Sequence, residues 1–336
     1  MVLFLSNHIV VPSLVPLCKN VDFYPTSVKF KAVFMKIAYI ILAHKYPEQL
    51  VRLIYKLNTD DVSFFIHIDK KADDKIYQYV LTKLKDFQNV SFIKRSDSTW
   101  GSFDIVRASL KGIKSIVETG SYFDYVIYLS GQDYLIKSNE QIKKFLQENK
   151  GREFLEYFPL PCNNWYEGGL TRLGSWHIRW KDKNFCIPQK REFKSRINSF
   201  LYSLFILLLP KRHKFPEGFA LYGGSAFWCL TGESIKWIND FVKQNPKFVN
   251  RFNYTYCPDE LFYQILIVNS PFKDKIINTC LTYLEWSNAN ALHPKILEKN
   301  DFDKIRESEK LFARKFDMTI DPDILDMIDK MILSQS

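Results

Sequence analysis

Residues 37 to 148 carry four strand-length apolar runs, each followed by an amphipathic stretch. An open α/β sheet is the architecture that accommodates this alternation. The first run, Ile37-Ala38-Tyr39-Ile40-Ile41-Leu42-Ala43, holds no charged residue in seven positions, the pattern of a parallel strand covered on both faces. Pro47 then opens a helix with Leu50, Val51, Leu53, Ile54 and Leu57 on one side. Val62 to Ile68 forms the second strand, stopped by Asp69-Lys70-Lys71. A helix over Ile76 to Leu84 and a short strand Val90 to Ile93 come next. Ser102 is placed to cap a helix from Phe103 to Val117, Tyr125 to Leu129 is the fourth strand, and Asn139 caps a helix running to about Glu148. Ligands of such sheets bind beyond the carboxyl ends of the strands. His44, Asp69-Lys70 and Gln132-Asp133 occupy those ends.

Beyond residue 150 the alternation breaks. Phe154 to Phe158 reads as a strand, and Asn163 to Lys183, polar, aromatic and rich in glycine, as a loop system or short hairpin. Tyr222 to Leu230 reads as a strand entered by the Gly223-Gly224 turn, and Thr231 to Phe241 as a helix. A strand over Thr279 to Glu285 and helices over Phe302 to Glu309 and Asp323 to Met331 close the chain. With no repeat, low-complexity tract or linker, the expectation is one domain over residues 35–320 with an elaborated second half, followed by a C-terminal helical segment, 321–336. Residues 1–34, apolar but broken by Asn7, His8, Pro12 and Pro16, are expected to be an extension outside that fold.

A net charge of +10 suits an anionic partner: nucleic acid, a membrane surface or a nucleotide-sugar diphosphate. No nucleic-acid-binding module accompanies the charge, so no nucleic-acid partner is expected. The six cysteines are scattered without zinc-site spacing, and buried free thiols in a cytoplasmic, reducing compartment are expected. The apolar run Phe200 to Leu209 is flanked by Lys190, Arg191, Lys194 and Arg196 on one side and Lys211, Arg212 and Lys214 on the other. It is half a bilayer span, and suits either a buried core helix or an interfacial helix on anionic lipid, with peripheral contact through 190–214.

Tyr256-Cys257-Pro258-Asp259-Glu260-Leu261-Phe262 precedes an apolar-periodic run and reads as a helix start. Pro258 sits in the first turn, and Asp259 and Glu260 lie where the helix dipole favours negative charge. The segment joins a set that resembles the Core-2/I-branching glycosyltransferase family, which includes the peptide O-xylosyltransferases. The set consists of Ile37 to His44, Ile66-His67-Ile68-Asp69-Lys70-Lys71, Trp100-Gly101-Ser102, Leu129-Ser130-Gly131-Gln132-Asp133-Tyr134, Gly224-Ser225-Ala226, Pro258-Asp259-Glu260 and Phe312-Ala313-Arg314-Lys315-Phe316-Asp317.

The resemblance implies a GT-A-like fold, a nucleotide-binding α/β half joined to an acceptor-binding half. It also implies an inverting transfer of N-acetylglucosamine or xylose from a UDP-sugar to a hydroxyl of a glycan or glycoconjugate; a lipid-linked glycan is the acceptor expected if Phe200 to Leu209 lies on a membrane. By the same resemblance Glu260 is the general base, Arg314 and Lys315 take the place of a metal at the diphosphate, and Asp69 contacts base or ribose. Lys70, His44 and Trp100 fall on the nucleotide side. No divalent metal is expected. Asp301-Phe302-Asp303 has the letters of a metal-binding pair, but precedes a helical run it is better placed to cap. Trp165, Glu167, Arg179, Trp180 and Trp286 combine aromatic faces with charge, as sugar-binding surfaces do, and Ser225 follows glycines that let backbone approach the donor sugar. A bacterial-type enzyme of surface-polysaccharide synthesis, on the inner face of the membrane, is the corresponding expectation. A non-catalytic UDP-sugar or glycan-binding protein on the same fold is the alternative.

Overall fold

The structure, a computed structural model, describes residues 35–163, 165–180, 183–188, 196–209, 214–286 and 293–334. The expected extension, residues 1–34, lies outside them. The first half runs β1 (Ile37–Ala43), α1 (Pro47–Leu57), β2 (Val62–Ile68), α2 (Asp74–Leu84), β3 (Val90–Phe92), α3 (Asp104–Glu118), β4 (Tyr125–Ser130), β5 (Asp133–Leu135) and α4 (Asn139–Glu148). Then come β6 (Glu153–Leu155), β7 (Phe158–Pro159), α5 (Leu170–Gly174), β8 (Trp176–Trp180), β9 (Lys183–Ile187), α6 (Arg196–Leu208), β10 (Tyr222–Gly223), β11 (Trp228–Thr231), α7 (Gly232–Gln244), α8 (Pro246–Asn250) and α9 (Phe262–Val268). β12 (Ile276–Ile277), β13 (Thr282–Leu284), α10 (Phe302–Glu307), β14 (Phe312–Arg314) and α11 (Asp323–Leu333) complete the described chain.

Seven strands form the main sheet in the order β12-β6-β11-β4-β1-β2-β3. β1 is parallel to β2 and β4, while β11 is antiparallel to β4 and β6. The uninterrupted apolar character of β1 follows from its central place. Ile37, Tyr39, Ile41 and Ala43 face one core with α1, α2 and α11, and Ala38 and Ile40 face another with α3, α7 and α9. Each of the isoleucines, fully buried, stabilises the fold by about 1.5–3 kcal/mol. α11 belongs to this packing: Ile324, Leu325, Ile328 and Met331 are buried in the first core, and Arg52 of α1 reaches Asp326 and Asp329 at 2.5 and 2.8 Å.

Several local expectations are corrected. Ser138, not Asn139, caps α4: its hydroxyl accepts the Gln141 N–H and the Gln141 side chain returns to the Ser138 N–H, while Asn139 reaches the Lys56 carbonyl. Ser102 accepts the Asp104 N–H one residue before the α3 cap position, which Phe103 fills. Phe154 to Phe158 divides into β6 and β7, and Tyr222 to Leu230 into β10 and β11, because each segment pairs with two different sheets. Pro258–Glu260 is a separate 3-10 turn, and the α-helix starts only at Phe262. α6 is not a core helix: Phe200, Leu201, Leu204, Phe205, Leu207 and Leu208 are exposed. Cys229, Cys257 and Cys280 are buried free thiols, but Cys186 is exposed and Cys162 half-buried.

Three strands outside the main sheet pair in the order β13-β14-β5; β13 falls within the strand expected over Thr279 to Glu285, while β5 and β14 have no strand signal in the sequence. β14 pairs antiparallel with β5 and sets Arg314 opposite Asp133. A segment from the far end of the chain is thereby delivered to the carboxyl ends of β1, β2 and β4.

Candidate active site

The parallel register sets Leu42 beside both His67 and Ser130, so His44, Asp69 and Ser130–Asp133 emerge on one edge of the sheet. The Asp69 N–H donates to the Ala43 carbonyl at 2.8 Å, and its carboxylate accepts the Lys71 N–H at 2.9 Å, which fixes the turn after β2. Lys70 projects outward beside it, its N–H held by the Ser96 carbonyl. His67 is fully buried and accepts the Ser96 N–H at 3.1 Å, so it is structural.

Arg314 and Lys315 meet this edge. The Arg314 guanidinium lies 3.5 Å from the buried Asp133 carboxylate and 3.3 Å from the Ser130 hydroxyl, above the Phe227 ring at 4.3 Å. Burial raises the pKa of the Asp133 carboxyl, opposed by Arg314 and the Ser130 N–H. Lys315 has its pKa lowered by burial, then by Lys45 and Arg314. His44 is shifted down by desolvation, then by Lys45, with Arg314 and Lys315 adding and Asp69 opposing. Positive groups gathered at this density favour an anion. Lys45 and His293 belong to the cluster and carried no signal in the sequence. Lys45 is held by the Tyr46 hydroxyl at 3.0 Å, and Tyr46 in turn bonds Asp317. His293 is pushed down by burial, then by Lys315, Arg314 and Lys45.

Across from the cations stands the Pro258–Glu260 turn. Cys257, in the left-handed region at φ 46°, gives its N–H to the Gly101 carbonyl at 3.0 Å, which ties Trp100-Gly101-Ser102 to the carboxylate segment. Trp100 is itself half-exposed, 5.0 Å from the His293 ring and 6.0 Å from the Tyr256 ring, and so bridges the cation and carboxylate sides. The Glu260 carbonyl accepts the Gly224 N–H at 3.0 Å, and the Gln264 side chain donates to the Ser225 carbonyl at 2.6 Å. Ser225 turns its hydroxyl to the Cys280 sulfur at 3.4 Å.

Glu260 keeps a half-buried carboxylate, bonded at 2.5 Å by Arg172, a residue that nothing in the sequence singled out. The Arg172 guanidinium rests 3.7 Å over Trp165, whose indole packs against Phe158 and fills the space that side chains at Gly169 and Gly223 would need. Trp165 therefore supports Arg172 from beneath. Asp259 differs from its neighbour: Oδ1 is buried without a hydrogen-bond partner. Burial, then the Glu260 carboxylate, push the Asp259 carboxyl up to about 7, with Arg172 and Arg314 opposing. Asp259 thus senses both sides of the site at once.

Other expected residues lie apart or outside. Glu167, at φ 47°, is exposed and accepts from the Tyr166 hydroxyl, and Trp286 is exposed beyond β13. Arg179 and Trp180 fall on β8, with side chains outside the described residues. Contrary to the expectation from the sequence, Asp301 does not cap α10 with its side chain: it pairs with Lys295 at 2.6 Å and, as the third residue of the 3-10 turn Lys299–Asp301 that Glu298 caps, accepts the Glu298 N–H at 3.0 Å.

Comparison with known proteins bears on the same residues. The Core-2/I-Branching enzyme family model matches residues 37–306. Xylosyltransferase 2 of Rattus norvegicus is 24% identical over 318 residues, covering 88% of this chain and 33% of its own length. Xylosyltransferase 1 of Homo sapiens is 23% identical over 334 residues, covering 93% and 32%. The chain thus spans about a third of the length of these relatives. A solved structure of the galactosyltransferase LgtC, in complex with donor and acceptor sugar analogs, aligns over 89% of this chain and 95% of its own at 11% identity and a TM-score of 0.41. The family match covers most of the chain, from β1 into α10, and takes in the Pro258–Glu260 turn: this protein belongs to the Core-2/I-branching enzyme family of glycosyltransferases.

Proposed function

We propose that the chain transfers N-acetylglucosamine or xylose from a UDP-sugar, with inversion, to a hydroxyl of a glycan or glycoconjugate, using Glu260 as general base and no divalent metal. What supports this is a half-buried carboxylate held by Arg172 and, through its backbone, by Gly224, together with cations gathered at the strand ends, the two sides being linked by Trp100 against His293 and Tyr256. In a single in-line displacement the acceptor oxygen forms the new bond to the anomeric carbon as its proton passes to Glu260. The anomeric C–O bond to the diphosphate breaks on the opposite face, and UDP leaves with the electron pair. Charge developing on its β-phosphate falls to Arg314 and Lys315, with Lys45 and His293 in the same cluster. Asp133 anchors Arg314 and Arg172 anchors Glu260, so both charges are positioned before substrate arrives. Asp69 and Lys70, at the next strand end, suit the nucleoside. Peripheral contact with the inner face of an anionic membrane through residues 190–214 belongs to the same reading.

The test is Glu260→Gln, assayed for UDP binding by thermal shift and for transfer from UDP-xylose and UDP-N-acetylglucosamine, all in EDTA. The variant is expected to bind UDP as the parent does and to lose turnover by at least about a hundredfold. Near-parental turnover removes Glu260 as base. Strict dependence of the parent on Mn²⁺ or Mg²⁺ removes the cation-only account of the leaving group.

A further inference from the structure

The exposed large apolar side chains of the described residues concentrate on one stretch. On α6, Phe200, Leu201, Leu204, Phe205 and Leu208 recur at helical spacing, and Phe200 and Leu208 are 63% and 83% exposed. Tyr166, in the turn before α5, and Phe185, on β9, are also exposed. The Tyr202 hydroxyl bonds the Pro188 carbonyl at 2.7 Å, fastening α6 to the end of the β8–β9 hairpin. Single exposed apolar residues are ordinary; a helix presenting five on one face is a binding surface.

Charge selects the occupant. Residues 190–214 contain seven lysines and arginines and a single acid, Glu192. A second copy of the chain would bring the same basic flanks into a symmetric contact and be repelled. An anionic lipid surface complements them. Thirteen residues in α6 span about 20 Å, short of a bilayer core, and no helix of the described residues is long and apolar enough to cross a membrane, so the helix lies in the interface plane.

The hairpin to which α6 is fastened packs against the carboxylate side of the site. Arg172 of α5 holds Glu260, while on β8 the His177 N–H donates to the Tyr254 carbonyl at 2.9 Å and its ring stacks 5.4 Å from Tyr256. We propose that α6 is a docking surface for an anionic bilayer that turns the Glu260 side of the site toward the membrane. The bearing on catalysis rests on Glu260 as base. The acceptor hydroxyl then arrives from the lipid side, as on a lipid-anchored glycan, while the UDP-sugar enters over the cations.

The experiment is flotation of the full chain with vesicles of phosphatidylcholine alone and of phosphatidylcholine with about one third phosphatidylglycerol. The chain is expected to float with the anionic vesicles, to be released by high salt, and to leave the neutral vesicles unbound. Leu201→Asp with Leu208→Asp, both on the exposed face, is expected to lower anionic flotation about tenfold while leaving the UDP thermal shift unchanged. No flotation of the parent, or equal flotation of the double variant, overturns the proposal. Parental dimers that the double variant abolishes, without vesicle binding, overturn it in favour of a self-contact. Flotation with no response to UDP keeps the docking surface and removes the transferase reading instead.

Discussion

Gly224 is the position where one added carbon tests the architecture of the site. Its N–H donates to the Glu260 carbonyl at 3.0 Å, and a Cβ there would stand 1.9 Å from the Glu156 carbonyl oxygen and 2.8 Å from its carbon. The neighbour is backbone, so no side-chain rotation relieves the clash. Non-bonded heavy atoms settle near 3.5 Å, so in Gly224→Ala the two segments must part by about 1.5 Å. Overpacking of this kind costs about 1–3 kcal/mol, and losing the hydrogen bond to Glu260 about 0.5–1.5 kcal/mol. Together the loss is about 2–4 kcal/mol, which for a fold of this size lowers Tm by on the order of 4–8 °C. A displacement of about 1 Å at a catalytic group lowers turnover on the order of a hundredfold. Gly174→Ala is the control, because a Cβ there meets nothing within 4 Å. Thermal unfolding and UDP release from UDP-sugars, measured on both variants, decide the matter. If Gly224→Ala matches Gly174→Ala in Tm and in kcat, the clamp on Glu260 is not what holds the base in place.

Arg172→Ala is expected to change stability by less than about 1 kcal/mol, since the ion pair is half-exposed, yet to lower kcat about tenfold or more with KM for the UDP-sugar unchanged. Recovery in Arg172→Lys marks a charge role, and an unchanged kcat in the alanine variant removes Arg172 as a positioning residue. His67 supplies a pH test: burial, then Lys111, lower its pKa to about 4, with Asp69 opposing. The unfolded chain, with the ordinary value of about 6.5, takes the proton first as pH falls. The stability this neutral imidazole contributes is therefore full above pH 6.5 and lost toward pH 4, at most about 3 kcal/mol. In urea unfolding, the gap between parent and His67→Gln should shrink from pH 7 to pH 4; a constant gap refutes the assignment.

The sequence was legible where one physical rule dominated. β1, β2 and β4 read correctly because burial on both faces demands an unbroken apolar run, and the site edge followed because parallel strands end together. Glu260, Arg314 and Lys315 were reached through motifs whose order along the chain resembles a family; the structure sets Arg314 opposite Asp133 at the strand ends and Glu260 beside Arg172. β5 and β14 were missed because three residues are too few for a period to show, and their pairing spans most of the chain. Arg172 was missed for another reason: its role arises from Trp165 beneath it and Glu260 beside it, partners that local sequence cannot report. α6 was ambiguous because a buried helix and an interfacial one share a composition, and only exposure separates them. The 3-10 turn at Pro258 has the sequence of an α-helix start, since proline and acids favour both starts alike.

The pairing of β14 with β5 also has a bearing on the order of events during synthesis. The α/β half from β1 to α4 leaves the ribosome long before Phe312–Arg314 exists, and β5 waits without its antiparallel neighbour until then. A nascent chain at that stage carries β1 to β5 but lacks Arg314 and Lys315. Asp133, whose charge Arg314 later offsets, stands uncompensated in the meantime. The cation that pairs with Asp133 is thus among the last parts of the described chain to be made, and a chain truncated before residue 312 lacks Arg314 and Lys315 together with α11.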